Sequence, residues 1–312
     1  MARQSRTAIF AAAAGNLAIA ASKFAAFAFT GSSAMLTEAI HSVVDTGNQG
    51  LLLLGIARAA RPPDARHPFG HGMELYFWSF VVALMIFALG GAFSIYEGLH
   101  KLADPQPIRD AWINFLVLGV AVCLEGTSFF VAWRENRRRG DGDVPLLQSV
   151  RRSKDPSLFA VLLEDAAALA GLAMAAAGVA AAAFLDFPAA DGIASIGIGL
   201  LLTAVAAFMA NETRSLLTGE AASPRVIAQV REILVSDRRV DEVAEILSLH
   251  FGPNDILLGV TLDFRDGLAA AEVEAAALEL GRRIQEAVPD VRRLFLRPKA
   301  QALGEGAASP AG

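Results

Sequence analysis

Thiols are nearly missing from this chain. Its 312 residues contain one cysteine, Cys123, so nothing can be stapled and a disulfide scaffold is excluded. Charge is scarce as well: 19% of the residues are Asp, Glu, Lys or Arg, against about 25% in ordinary soluble proteins. The apolar set makes up 54% and the mean hydropathy is +0.45, which excludes disorder and points toward a bilayer. No surplus of positive charge exists; the formal net charge is −5, which argues against nucleic acid as a partner. No His-Glu-x-x-His run occurs, so the helix-borne zinc motif of metalloproteases is absent. The chain is read as a non-enzyme with no organic cofactor.

What charge there is lies unevenly. Residues 1–219 hold 33 charged side chains and residues 220–312 hold 26, so a membrane region precedes a water-soluble one. Spanning the hydrocarbon core takes roughly 20 mostly apolar residues. Six stretches qualify: 7–30, 34–58, 74–99, 111–133, 157–185 and 190–217. The separators at Gly31-Ser32-Ser33 and Asp186-Phe187-Pro188 are short enough to make hairpin pairs of their neighbours. The first stretch is long, contains Lys23 and runs straight into a second span, so it is expected to remain uncleaved. Twelve basic residues lie on one side: Arg3, Arg6, Arg58, Arg61, Arg66, Arg134, Arg137, Arg138, Arg139, Arg151, Arg152 and Lys154. Two, Lys101 and Arg109, lie on the other. That asymmetry places both termini, and the charged tail, in the cytoplasm. Gly171, Gly178, Gly192, Gly197 and Gly199 let the last two spans pack closely.

Ionisable groups within spans are functional candidates by default. The second span carries Glu38, His41 and Asp45, whose spacings of three and four put them on one helical face. His41 and Asp45 at i, i+4 suit a divalent metal. The fifth span carries Glu164-Asp165; adjacent helical residues point about 100° apart, so one is expected to face His41 and Asp45 and the other a neighbouring helix or a wet path. One imidazole with two or three carboxylates suits a first-row divalent cation, Zn²⁺ ahead of Mg²⁺ or Ca²⁺. The bland alternative is that His41 is a hydrogen-bonded packing residue. Glu97, Glu125 and Asp191 are read as helix ties, and Lys23 as snorkelling or paired with an acid. Beyond the second span, Asp64, His67 and His71 lie within eight residues broken by Pro68 and Gly70. They form either a candidate loop metal site or a polar turn.

In the tail, Ser223 and Pro224 read as an N-cap and first helical position of a helix over 224–236. Strands follow at 241–250 and 256–264, where apolar residues alternate, then a helix at 271–288 and a strand at 291–297. The αββαβ order suits a two-layer α+β domain over 220–302. Residues 303–312 are expected to be disordered.

Six spans, His41-Ser42-Val43-Val44-Asp45 in the second and Asp64 through His67-Pro68-Phe69-Gly70-His71 before the third together resemble the cation diffusion facilitator family. The stretches His41-Ser42-Val43-Val44-Asp45-Thr46-Gly47-Asn48-Gln49-Gly50 and Leu163-Glu164-Asp165 resemble the branch that includes the eukaryotic mitochondrial zinc transporter. The resemblance implies a polytopic α-helical membrane protein with six transmembrane helices and a C-terminal cytoplasmic ferredoxin-like α+β domain. It implies a homodimer that exchanges divalent metal for protons, with Zn²⁺ as the transported substrate and Fe²⁺, Co²⁺ or Mn²⁺ as alternatives. By the same resemblance, His41 and Asp45 supply one half of a transport site and Asp165 the other. A further ligand usual four residues before Asp165 is replaced by Val161, and Glu164 is the obvious substitute. Glu38 stands as an auxiliary or proton-linked residue, and Asp64, His67 and His71 match the family's loop metal site. Relatives with metal-sensing tails carry several histidines there; this tail has only His250, with Thr261 and Phe295 at expected ligand positions, so dimerisation is its expected role. The composition favours a bacterial inner membrane. A metal-gated membrane sensor is the alternative function, although the tail offers no catalytic output. A channel is disfavoured because conduction needs weak binding.

Overall fold

The computed structural model describes residues 17–106, 108, 110–137 and 154–299. Expectations placed on residues 7–16, on Arg3, Arg6, Arg109, Arg138, Arg139, Arg151 and Arg152, and on the tail 303–312 lie outside the described residues. The chain divides into two compact units, Met1–Ser215 and Leu216–Gly312.

The first unit is helical. Helix α1, Leu17–Thr30, ends where the Gly31 amide donates to the Phe27 carbonyl at 2.8 Å. Gly31 takes φ +70°, a left-handed conformation that suits glycine at a helix end. Helix α2, Ser33–Ala59, begins at once, with the Ser32 hydroxyl accepting from the Met35 amide. Helix α3, Glu74–Ala103, contains a π-helical stretch, Ile86–Ala92, centred near Gly90 and Gly91. Helix α4 is Ala111–Asn136. Helix α5, Pro156–Phe184, has Asp155 as its N-cap and Pro156 in its first turn. Helix α6 is Ala189–Leu217.

Four of these helices, α3 to α6, are long and apolar enough to cross a membrane. The described part of α1 is shorter. In α2 the same 27 residues that have the length carry Glu38, His41, Asp45 and Arg58, which lowers their hydropathy. Close packing comes from glycine. A Cβ at Gly98 would lie 2.7 Å from the Gly192 carbonyl oxygen, and one at Gly199 would lie 2.8 Å from that of Gly91. Helices α3 and α6 thus approach backbone to backbone along two glycines each, a contact that larger residues would force apart.

A polar tie holds the α1–α2 turn. Asp191, fully buried near the start of α6, accepts from the Ser32 hydroxyl at 2.6 Å, the Ser33 amide at 2.6 Å and the Ser33 hydroxyl at 2.9 Å. Its carboxylate therefore caps α2 from another helix and meets the positive end of that helix dipole. Lys101 donates to the Gly31 carbonyl at 3.0 Å.

The second unit contains α7 (Pro224–Val235), β1 (Val240–Gly252), β2 (Asp255–Phe264), α8 (Ala270–Ala287) and β3 (Val291–Pro298). Ser223 caps α7 through its hydroxyl, with Pro224 next. Strand β2 is central, antiparallel to β1 and parallel to β3, so the sheet is mixed. Alternation along β2 sends Ile256, Leu258, Val260 and Leu262 to the core, where they pack with Val230, Leu234, Leu280 and Ile284 from the helices.

Candidate functional site

The polar residues of α2 share one stripe. His41, Asp45 and Asn48 follow one another by four and three positions and are all buried. His41 Nε2 lies 3.5 Å from Asp45 Oδ2. Both ring nitrogens of His41 and Oδ1 of Asp45 are buried without a hydrogen-bond partner. Such atoms are costly in an apolar interior, and their types, two imidazole nitrogens and a carboxylate oxygen, are those that ligate divalent first-row metals.

Across from this stripe, α5 presents Glu164 and Asp165, which are 6% and 8% exposed. Their directions diverge as adjacent helical positions require. Glu164 Oε1 accepts from Asn48 Nδ2 at 3.1 Å, which ties α5 to α2. Asp165 Oδ2 accepts from the Ser128 hydroxyl on α4 at 2.7 Å. Of the two acids, Glu164 is therefore the one hydrogen-bonded to the His41 and Asp45 helix. Asp165 is turned toward α4, where half-buried Glu125 is in electrostatic reach of both Asp165 and Asp45.

Glu38, one turn before His41, is committed elsewhere. Its Oε2 lies 3.0 Å from Lys23 Nζ, and the same ammonium donates to the Ser42 hydroxyl at 2.8 Å. Lys23 and Glu38 are both fully buried, so Lys23 pairs with an acid and does not snorkel.

The loop cluster contrasts with the intramembrane set. Among the described residues, Asp64, His67 and His71 are the group whose candidate ligand atoms all lie within 4.8 Å of one another. Asp64 Oδ1 accepts from the amides of Arg66 at 2.8 Å and His67 at 2.7 Å, an Asx turn. The imidazoles of His67 and His71 approach its two oxygens at 3.3 and 3.1 Å. Gly70, at φ +82°, turns the chain so that His71 comes back to Asp64. The His67 amide, then the Arg66 amide and the two imidazoles, hold the Asp64 carboxyl down at about 2.

In the tail, His250 is buried with Nδ1 3.2 Å from the Gly252 carbonyl oxygen. The Thr261 hydroxyl accepts from Arg297 Nε at 2.8 Å.

A family model described as the cation efflux transmembrane domain matches residues 9–218. The chain belongs to the cation efflux family. This cation efflux protein is thus an integral membrane protein of a transporter family, not an enzyme. It is 36% identical over 244 residues to a mitochondrial proton-coupled zinc antiporter of Xenopus laevis, covering 78% of this chain and 44% of that one. The human protein of the same name is 33% identical over 266 residues, 85% of this chain and 46% of that one. Metal tolerance protein C4 of Arabidopsis thaliana is 33% identical over 250 residues, 80% of this chain and 55% of that one. The cation efflux protein spans about half the length of these curated relatives.

Sequence reasoning gave no site role to Asn48 or Ser128. Neither is ionisable, so neither stood out. Asn48 carried a detectable signal, because it lies seven positions after His41 and continues the same face.

Proposed function

We propose that this cation efflux protein carries divalent metal, Zn²⁺ first, out of the cytoplasm in exchange for protons. The observation that carries the reading is the buried array of His41 and Asp45 on α2 opposite Glu164 on α5, with donor atoms left without partners inside an apolar helical unit. Those ligands must be deprotonated to hold metal, so binding releases protons and proton return favours release. The relatives named as proton-coupled zinc antiporters support both the ion and the coupling.

In this reading six helices span the bilayer, α2 included, because its acids face inward from lipid and its length of 27 residues suffices. Asp165 joins the ligand set as α4 and α5 move past α2 during alternating access. The Asp64, His67 and His71 loop takes up metal on the cytoplasmic side. The tail over 220–302 is a ferredoxin-like cytoplasmic domain that pairs in a homodimer, and the membrane is the bacterial inner membrane.

The test uses sealed proteoliposomes containing a zinc-sensitive dye and an imposed pH gradient. Zinc entry should accelerate when the lumen is acidic and collapse when a protonophore is added. Flux indifferent to the gradient would overturn the exchange, and absence of zinc flux would overturn the function.

A further inference from the structure

Lys23 has a placement that the transport reading leaves unused. It lies in α1, fully buried, in surroundings where a charged side chain costs several kcal/mol even by insertion scales. Its ammonium makes two contacts, Glu38 Oε2 at 3.0 Å and the Ser42 hydroxyl at 2.8 Å. Ser42 is the chain neighbour of His41. The charge is also in electrostatic reach of His41, Asp45 and Glu125. A fixed cation thus sits inside an otherwise acidic cluster.

Glu38 is only half used by this pairing. Its Oε1 is buried without a hydrogen-bond partner and points at α5, where a Cβ on Gly171 would lie 2.7 Å away. Glycine at 171 therefore makes room for the carboxylate that Lys23 holds.

We propose that Lys23 is a resident counter-cation that sets the metal affinity of the transport site and, through its pair with Glu38, keeps Glu38 out of the ligand set. The proposal rests on the transport reading above and adds a positioning pair to it. Two effects follow from Coulomb's law at low dielectric. The ammonium repels a divalent ion at His41 and Asp45, so binding stays weak enough for release. It also partly balances the cluster's carboxylates after the metal has left. Removing Lys23 makes the site more negative by one charge, and removing the Glu38 charge makes it more positive by one. The two single changes should therefore move affinity in opposite directions, which a purely structural role for the pair does not produce.

The experiment measures zinc flux against zinc concentration in proteoliposomes for the full chain and for Lys23→Met, Lys23→Arg, Glu38→Gln and the double variant Lys23→Met/Glu38→Gln. Lys23→Met should lower KM by about tenfold and lower kcat, because the ion is held too well. Glu38→Gln should raise KM by a similar factor. Lys23→Arg should stay near the parent, and the double variant should return KM to within about threefold of it. Equilibrium dialysis of zinc against the detergent-purified variants supplies binding even where a variant turns over too slowly to measure. KM shifts of the same sign in both single variants, or no shift in either, overturn the proposal. A double variant that matches Glu38→Gln also overturns it, since Glu38 would then be a direct ligand. If the parent shows no zinc flux, the transport reading fails first. If the parent transports and the charge pattern is absent, only the role of Lys23 fails.

Discussion

Two groups of candidate metal ligands are built in opposite ways. The loop group, Asp64, His67 and His71, is already gathered, with ligand atoms within 4.8 Å of one another and each side chain engaged by its neighbours. It is also wet: the Asp64 and His67 side chains are 53% and 54% exposed. The buried group, His41, Asp45, Glu164 and Asp165, is shielded and divided between helices, with His41 and part of Asp45 unpartnered. Water can satisfy the first group when no ion is present. The second is buried, so its charge must be offset by other groups within the helices, such as Lys23, or by an ion or protons. A carrier needs that second design, because a site split across helices can change shape as the helices move, whereas a pre-gathered loop tends to hold what it binds.

The sharpest break of this contrast is removal of a buried ligand. Asp45→Ala should reduce zinc flux by more than about a hundredfold, beyond the 10–100-fold typical of losing an outer-shell partner. The readout is initial dye response in proteoliposomes, normalised to protein reconstituted. Full flux in Asp45→Ala would mean that the buried array is not on the transport path.

A middle-sized effect separates the two acids of α5. Glu164 is bonded to Asn48 on α2 and Asp165 to Ser128 on α4. Glu164→Ala removes the carboxylate nearest the α2 stripe, while Asn48→Ala removes only what orients it. We expect Asn48→Ala to cost about tenfold in zinc KM and Glu164→Ala to cost more. Val161→His in the Glu164→Ala background then offers a ligand one turn away from Asp165, and partial recovery of flux is the expected outcome. Undiminished flux in Glu164→Ala would remove Glu164 from the site and leave Asp165 as the only acid from this helix.

How much of this was readable beforehand differs between the two regions. Helix α5 was expected at 157–185 and runs Pro156–Phe184; the tail strand expected at 256–264 runs Asp255–Phe264. The helix is a long apolar run and the strand alternates at period two, while Ser223-Pro224, read as an N-cap and first helical position, caps α7 in the structure. The loop cluster was also legible, because its residues are neighbours in sequence. What sequence spacing does not encode is which helix faces which. The divergence of Glu164 and Asp165 was expected from the helical turn, but only packing assigns Glu164 to α2 and Asp165 to α4. The partner of Lys23 was open for the same reason, and the π-helical stretch at Ile86–Ala92 has no local signature beyond its paired glycines.

The smallest effect belongs to the loop, and it tests whether that region is a separate site. Asp64→Asn keeps an oxygen for the Arg66 and His67 amides and removes the charge, so the turn should persist while zinc affinity of the loop falls by about tenfold. Transport at saturating zinc should change by less than about twofold, because the buried array is untouched. The binding half is read by dialysis in a background of Asp45→Ala, which isolates the loop. The pH dependence has a definite sign. Hydrogen bonds from the His67 and Arg66 amides and from the imidazoles depress Asp64 from 3.8 to about 2. Its contribution to holding the turn is therefore complete above about pH 4 and is lost only as pH falls through about 2. Between about pH 5 and 8 the ratio of parent to Asp64→Asn affinity should stay constant, since Asp64 remains a carboxylate throughout. A ratio that falls as the pH is lowered across that window would show that Asp64 takes up a proton there, and the hydrogen bonds of the turn would not be holding it. A flux loss matching that of Asp45→Ala would erase the distinction between the two groups and make the loop part of the transport path itself.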